Sequence, residues 1–152
     1  MSRSYSAIHV HLVFSTKLRR PFLKDPTIRT EMHSYLGATS KSIGFQPLIV
    51  GGVEDHVHML CQFGKQRSQS EWVKELKRVS SIWAKQRDPA LDNFSWQIGC
   101  GVFSVGRDEL DTVRNYIRKQ EEHHKIVSFQ DEFLRLLHEH DLEWEERDSW
   151  DE

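Results

Sequence analysis

A chain of 152 residues, 38% hydrophobic and 29% charged, is long enough for one soluble domain with a real core, and no apolar run approaches the roughly 20 residues of a membrane span. The net charge of −2 argues against a uniformly basic nucleic-acid binder, yet the charge is unevenly spread. Ten acids from Asp131 onward face only Arg135 and Arg147, which leaves 19 basic against 13 acidic side chains, about +6, over residues 1–130. A basic body with an acidic tail suits a polyanionic partner, and suits equally well a plain solvated surface.

The polar start, Met1-Ser2-Arg3-Ser4-Tyr5, shows no signal-peptide pattern, so a cytoplasmic protein is expected. Ile8, Val10, Leu12 and Phe14 alternate with His9, His11, Val13 and Ser15, the period of a half-buried strand. Lys17, Arg19, Arg20 and Pro21 form a basic clasp at its end. Asp25-Pro26 predicts a helix start, with Asp as cap and Pro in the first position. Ile28, Met32, Tyr35, Leu36 and Thr39 share one face of that helix, and Ile43-Gly44 supplies the stop. Residues 45–53 read as a second strand, which Pro47 directs to a sheet edge or a bulge. A glycine-rich turn, 51–55, leads into a third strand over 56–63.

Ser68-Gln69-Ser70-Glu71 fits a capping box. The helix behind it carries Trp72, Leu76, Val79 and Trp83 inward and Lys74, Lys77, Arg78, Lys85 and Arg87 outward, and ends at Asp88-Pro89. Residues 96–105 are strand-like but interrupted by Gly99 and Gly101. One helix is predicted from Asp108 to about His124. Leu110, Val113 and Ile117 form its core stripe, and Tyr116 and Gln120 lie one turn apart on an adjacent face. Ser128 can cap a last helix containing Phe133, Leu134 and Leu137, before an acidic end with Trp144 and Trp150. Cys61 and Cys100 sit in apolar runs outside any CxxC and read as buried free thiols. The order strand, helix, strand, strand, helix, strand is the ferredoxin-like βαββαβ pattern. It predicts an α+β fold with an antiparallel sheet, helices on one face and extra C-terminal helices. Residues 1–130 would form the main domain and 131–152 an acidic C-terminal helix and tail, with the second face of the sheet free for a site or a partner.

The chemistry centres on Asp55-His56-Val57-His58-Met59-Leu60. In a strand His56 and His58 point to the same side, as candidate metal ligands or, on the bland reading, as structural histidines. His9-Val10-His11 has the same spacing on the first strand, and spacing does not separate the two pairs. A structural role for His9 and His11 leads over one lining a nucleic-acid site. His123 and His124 read as surface or near-site residues ahead of ligands. Tyr116 is a packing residue or a nucleophile. With a phenol pKa of about 10 it needs help to attack, and a phosphodiester polarised by a divalent ion is a suitable target. Gln120 offers a neutral carbonyl oxygen as a third ligand.

These segments resemble the HUH single-tyrosine transposases of bacterial insertion sequences, and their domesticated relatives, the REP-associated tyrosine transposases. The resemblance lies in His56-Val57-His58, in Val113-Arg114-Asn115-Tyr116-Ile117-Arg118-Lys119-Gln120, and in His11-Leu12-Val13-Phe14-Ser15-Thr16-Lys17 with Arg19-Arg20-Pro21. It covers the chain to about Gln130 and assigns the metal to His56, His58 and Gln120. It implies that Mg²⁺ or Mn²⁺ polarises a scissile phosphate, that Tyr116 attacks to give a 5′-phosphotyrosine and a free 3′-OH, and that a second 3′-OH reverses the step. It also implies a single-stranded DNA hairpin as substrate and a homodimer whose active site can be shared between subunits. Two imidazoles suit Mn²⁺ at least as well as Mg²⁺. Lys17, Arg19, Arg20, Lys74, Lys77 and Arg78 are the DNA-contact candidates, with a solvated charge as the alternative for each. The competing functional reading is a domesticated hairpin- or repeat-binding DNA protein, a nuclease or regulator that does not mobilise its own element.

Overall fold

Alternating apolar residues make His9–Ser15 a strand, β1, and the same period makes His56–Gln62 its antiparallel neighbour β3, with Leu12 opposite Met59 and Val13 opposite His58. Pro47–Gly52 (β2) pairs with the far side of β3, and Gly101–Val105 (β4) with the far side of β1, so the sheet order is β2-β3-β1-β4, antiparallel throughout. Pro47 lies on the edge strand, beside a register shift, where its missing N–H leaves no gap in the ladder. The computed structural model describes residues 3–144; Trp150 and the rest of the acidic end lie outside the described residues. Among the described residues no helix is long and apolar enough to cross a membrane.

Two helices cover one face. Helix α1, Pro26–Ser42, starts where expected, with the Asp25 carboxylate accepting from Thr27 N at 2.8 Å. Helix α2, Gln69–Arg87, carries the complete capping box of Ser68 and Glu71. Their apolar stripes meet Leu12, Phe14, Val57 and Met59 in the main core. Each helix also buries a serine there. Ser40 accepts from Trp72 Nε1 at 3.0 Å and Ser80 from Trp96 Nε1 at 2.9 Å, so both indole N–H groups are satisfied inside the apolar layer.

The α+β ferredoxin-like arrangement with added C-terminal helices is as the sequence predicts, with three differences in detail. The strand expected over 96–105 begins only at Gly101. Trp96 makes a single bridge to Thr16 and sinks into the core against Phe14, while Gly99, at φ +91°, turns the chain. Cys100, on that turn, is therefore exposed, whereas Cys61 is buried and burial pushes its thiol up to about 12. The helix expected over 108–124 is broken. A 3₁₀ turn at Arg107–Glu109 precedes α3, Leu110–Arg118, and the chain kinks at Lys119 into a short α4, Gln120–His123. Third, the second sheet face is not open. Val13 and Phe103 there pack against Phe129, Phe133, Leu136 and Leu137 of α5, Phe129–Glu139, and α3 lies against β2 and β3.

Gly51 sets how closely α3 approaches. A Cβ at that position would lie 2.8 Å from the Ile117 carbonyl oxygen and 2.9 Å from its Cγ2, and the first of these is backbone that cannot rotate away. Gly51→Ala is expected to lift α3 from the sheet at a cost of about 1–3 kcal/mol. Thermal melting would read this, with faster amide exchange confined to residues 110–118. An unchanged melt with unchanged exchange would show that α3 shifts freely.

Candidate active site

The period of β3 puts His56 and His58 on the side facing α3, α4 and α5, and both imidazoles are fully buried. Each is held from behind. The Asp55 carboxylate lies 2.7 Å from His56 Nδ1, so that nitrogen carries the proton and Nε2 faces inward. Asp55 is itself placed by Thr16, whose backbone N–H and hydroxyl both donate to the Asp55 carbonyl. His58 Nδ1 lies 2.7 Å from His11 Nε2, with the two rings stacked at 5.0 Å. The two His-x-His pairs, equivalent by spacing, thus sit differently. His11 backs His58, and the half-buried His9 starts β1 opposite Gln62.

In front of the histidines the structure brings Tyr116 and Gln120 together. The Gln120 amide is buried, with Oε1 3.2 Å from His56 Nε2. The Tyr116 ring stands edge-on to His58, centroids 5.8 Å apart. The kink at Lys119 lets the short α4 turn Gln120 inward and His124 towards His56 (ring centroids 4.4 Å).

At the centre lies a residue that the sequence reasoning missed, Glu132 of α5. Its carboxylate is fully buried and accepts from Tyr116 Oη and from Gln120 Nε2 at 3.0 Å. His58 Nε2 and His124 Nε2 are each 3.0 Å from Oε1, and His56 Nε2 is 3.3 Å away. One signal for it was present in the sequence. Glu132 stands three residues after Phe129 and four before Leu136, inside the apolar stripe of its helix, and a charge on a core-facing stripe is rarely idle. His124 also joins this cluster.

The electrostatics follow from the packing. Burial alone would lower the His56 pKa, but the hydrogen bonds that it donates to Asp55 and Glu132 outweigh it and push it up to about 9. For His58 burial wins and brings it down to about 4, although Glu132 opposes. His11 is lowered by burial and then by His58. Burial would raise the Glu132 carboxyl, yet hydrogen bonds from His124, His56 and His58 hold it well below the usual carboxylate range. The Tyr116 hydroxyl is pushed up, first by burial and then by the Glu132 charge.

Donor atoms of His56, His58, His124 and Glu132 lie within 4.8 Å of one another. Imidazoles, a carboxylate and an amide oxygen form a donor set that fits a divalent cation, and Asp55 and His11 stand where outer partners of metal-bound histidines stand. On the open side of Tyr116 is a second residue that sequence reasoning missed, the exposed Arg135, with Nη2 3.3 Å from Oη.

The six basic candidates lie on two elements, the turn after β1 and helix α2. Lys17 and Arg20 are exposed at the turn after β1, and Arg19 lies against Gln130, whose amide oxygen, turned towards it, accepts at 2.8 and 3.0 Å. Lys74, Lys77 and Arg78 line a groove of about 600 Å³ between α2 and residues 95–100. There Lys77 Nζ caps the carbonyls of Gln97 and Gly99 at 2.7 and 2.6 Å, and Arg78 pairs with Glu75 at 2.7 Å.

A family model described as IS200-like transposase matches residues 4–120. No curated protein matches the chain. Among solved structures, a provisionally assigned transposase from Deinococcus radiodurans is similar at 22% identity and a TM-score of 0.59, over 79% of this chain and 96% of that one. A REP-associated tyrosine transposase bound to a REP hairpin is similar at 15% identity and a TM-score of 0.60, over 84% and 74%. At these identities the two structures share the fold.

Proposed function

The chain belongs to the IS200-like transposase family, and from that premise we propose that it cleaves and rejoins single-stranded DNA beside a hairpin, with Tyr116 as the nucleophile. The observation that carries this reading is the convergence, within one chain, of the Tyr116 hydroxyl, two buried strand histidines and the Gln120 amide on one point. Tyr116 Oη forms a bond to phosphorus as the bond from phosphorus to the 3′ oxygen breaks. This leaves a 5′-phosphotyrosine and a free 3′-OH, and attack by a second 3′-OH reverses the step. The phosphodiester energy is kept throughout, so no nucleotide cofactor is required.

His56, His58 and Gln120 would hold Mg²⁺ or Mn²⁺, which supplies the positive charge that makes the phosphate electrophilic. The protein's own groups do the rest. Asp55 and His11 orient the two imidazoles, and Arg135 stands ready to meet charge developing at the tyrosine oxygen. Tyr116 lies beside the histidines of its own chain, which supports a site complete in one subunit, and the proposed working form is a homodimer. The hairpin as substrate class is supported by the REP hairpin bound to the fold-sharing REP-associated tyrosine transposase.

The direct test is incubation with end-labelled single-stranded hairpin DNA and Mn²⁺ or Mg²⁺. A covalent adduct of the protein with the 5′ phosphate of the downstream fragment is expected, and chelation of the metal is expected to prevent its formation. Cleavage without an adduct would replace the tyrosine mechanism by hydrolysis. Failure to bind any hairpin would remove the proposed substrate class.

A further inference from the structure

Glu132 lies twelve residues beyond the end of the family match, on a helix that pattern does not include. Its position is nevertheless the most central in the site. Oxygen Oε1 faces the Nε2 atoms of His56, His58 and His124 at 3.0–3.3 Å. These contacts cannot all be ordinary neutral hydrogen bonds. The Nδ1 of His56 donates to Asp55, so a neutral His56 turns its Nε2 lone pair towards an oxygen that can only accept. A lone pair facing a lone pair in a fully buried site is costly unless positive charge lies between them. Extra protons on the imidazoles are one source of that charge, and a divalent cation held by nitrogen and oxygen together is the other.

We propose that Glu132 is a ligand of the divalent ion, so that α5 delivers to the two strand histidines the one anionic donor of the site. The proposal rests on the metal use stated under the proposed function and deepens it. An anionic oxygen in the coordination sphere favours Mn²⁺ and Mg²⁺, whereas imidazoles alone favour later transition ions. It also explains why the apolar face of α5 carries a carboxylate: Phe129, Phe133 and Leu136 clamp the helix to the sheet around it, which fixes the donor. Tyr116 and Gln120, both donating to the second carboxylate oxygen, hold its orientation from the other side.

The test is Mn²⁺ binding to the full chain without DNA, read by calorimetry and by loss of the free-ion electron-spin signal. Wild type is expected to bind one ion and His56→Ala none. Glu132→Gln, which keeps the size and one acceptor oxygen, is expected to weaken Mn²⁺ at least about tenfold while weakening Zn²⁺ less. Glu132→Asp, which restores the charge on a shorter stem, is expected to fall between the two, and Glu132→Ala carries the test if Glu132→Gln fails to fold. If Glu132→Gln, or Glu132→Ala in that case, binds Mn²⁺ as tightly as wild type or more tightly while His56→Ala still binds none, the carboxylate is no ligand but an occupant of the ion's place, and the proposal falls. If wild type binds no divalent ion while the hairpin adduct still forms, the metal reading falls and takes this proposal with it, leaving the tyrosine chemistry standing.

Discussion

Tyr116→Phe is expected to abolish the covalent DNA adduct and to slow strand cleavage by at least about 10³-fold, some 4 kcal/mol or more in transition-state stabilisation. The substitution removes the attacking oxygen and leaves the ring, which is half-buried against His11, His58 and His123. No other phenol can take over. The remaining tyrosines are Tyr5, 86% exposed near the start of the chain, and Tyr35, stacked on Trp83 where α1 meets α2. Glu132 loses one donor but keeps Gln120 and the imidazoles. The stability cost should therefore be about 1 kcal/mol, a shift of roughly 2–4 °C in melting temperature. Gel-resolved adduct formation and a melting curve on the same preparation separate chemistry from folding. An adduct of undiminished yield would reassign the nucleophile.

Trp72→Ala should show the opposite pattern, losing the fold while touching no site residue. Trp72 is fully buried, stacked on Phe45 at 4.6 Å with the rings nearly parallel, and its indole N–H donates to Ser40. Truncation empties that volume and leaves the Ser40 hydroxyl short of one donor. The expected loss is about 3–5 kcal/mol, set against a total on the order of 5–15 kcal/mol for a domain of this kind. Chemical denaturation should show the midpoint falling with the slope unchanged. A loss under about 1 kcal/mol would mean that α1 and α2 collapse onto the space more completely than close packing allows. Hairpin cleavage per folded molecule should be near wild type at low temperature, because the core lies on the other face of the sheet from His56 and His58.

The two variants divide the molecule as its faces do. Leu12, Phe14, Val57 and Met59 alternate out of β1 and β3 into the α1/α2 core, and His11, His56 and His58 alternate the other way. A single strand period therefore builds both the stability and the site. This is why a one-residue register slip between β1 and β3 would cost both at once.

Much of the molecule was local enough to be legible in the amino-acid order. The period of two in 8–15 and 56–63, the Asp25-Pro26 start, the capping box of Ser68 and Glu71, and the Ser128 cap act over a few residues. So do the His56-Val57-His58 pair and the Tyr116–Gln120 spacing, since a strand or one helical turn suffices to put each pair on a common side. What the order could not supply depends on elements distant in sequence meeting in space. His9-Val10-His11 and His56-Val57-His58 are alike by spacing, and they differ only because β1 and β3 pair in a register that stacks His11 behind His58. The 108–124 helix breaks at Lys119, where Gln120 is drawn into a buried cluster that strands and helices build jointly. Glu132 is the clearest case. Seventy-four residues separate it from His58, and only the packing of the α5 apolar stripe on Val13 and Phe103 brings its carboxylate to the imidazole. Sequence alone determined which groups share a face, because backbone periodicity is local. The tertiary structure decided which faces meet, because burial of apolar surface sets that over the whole chain at once, and a charge can be held among them only where partners from several elements satisfy it.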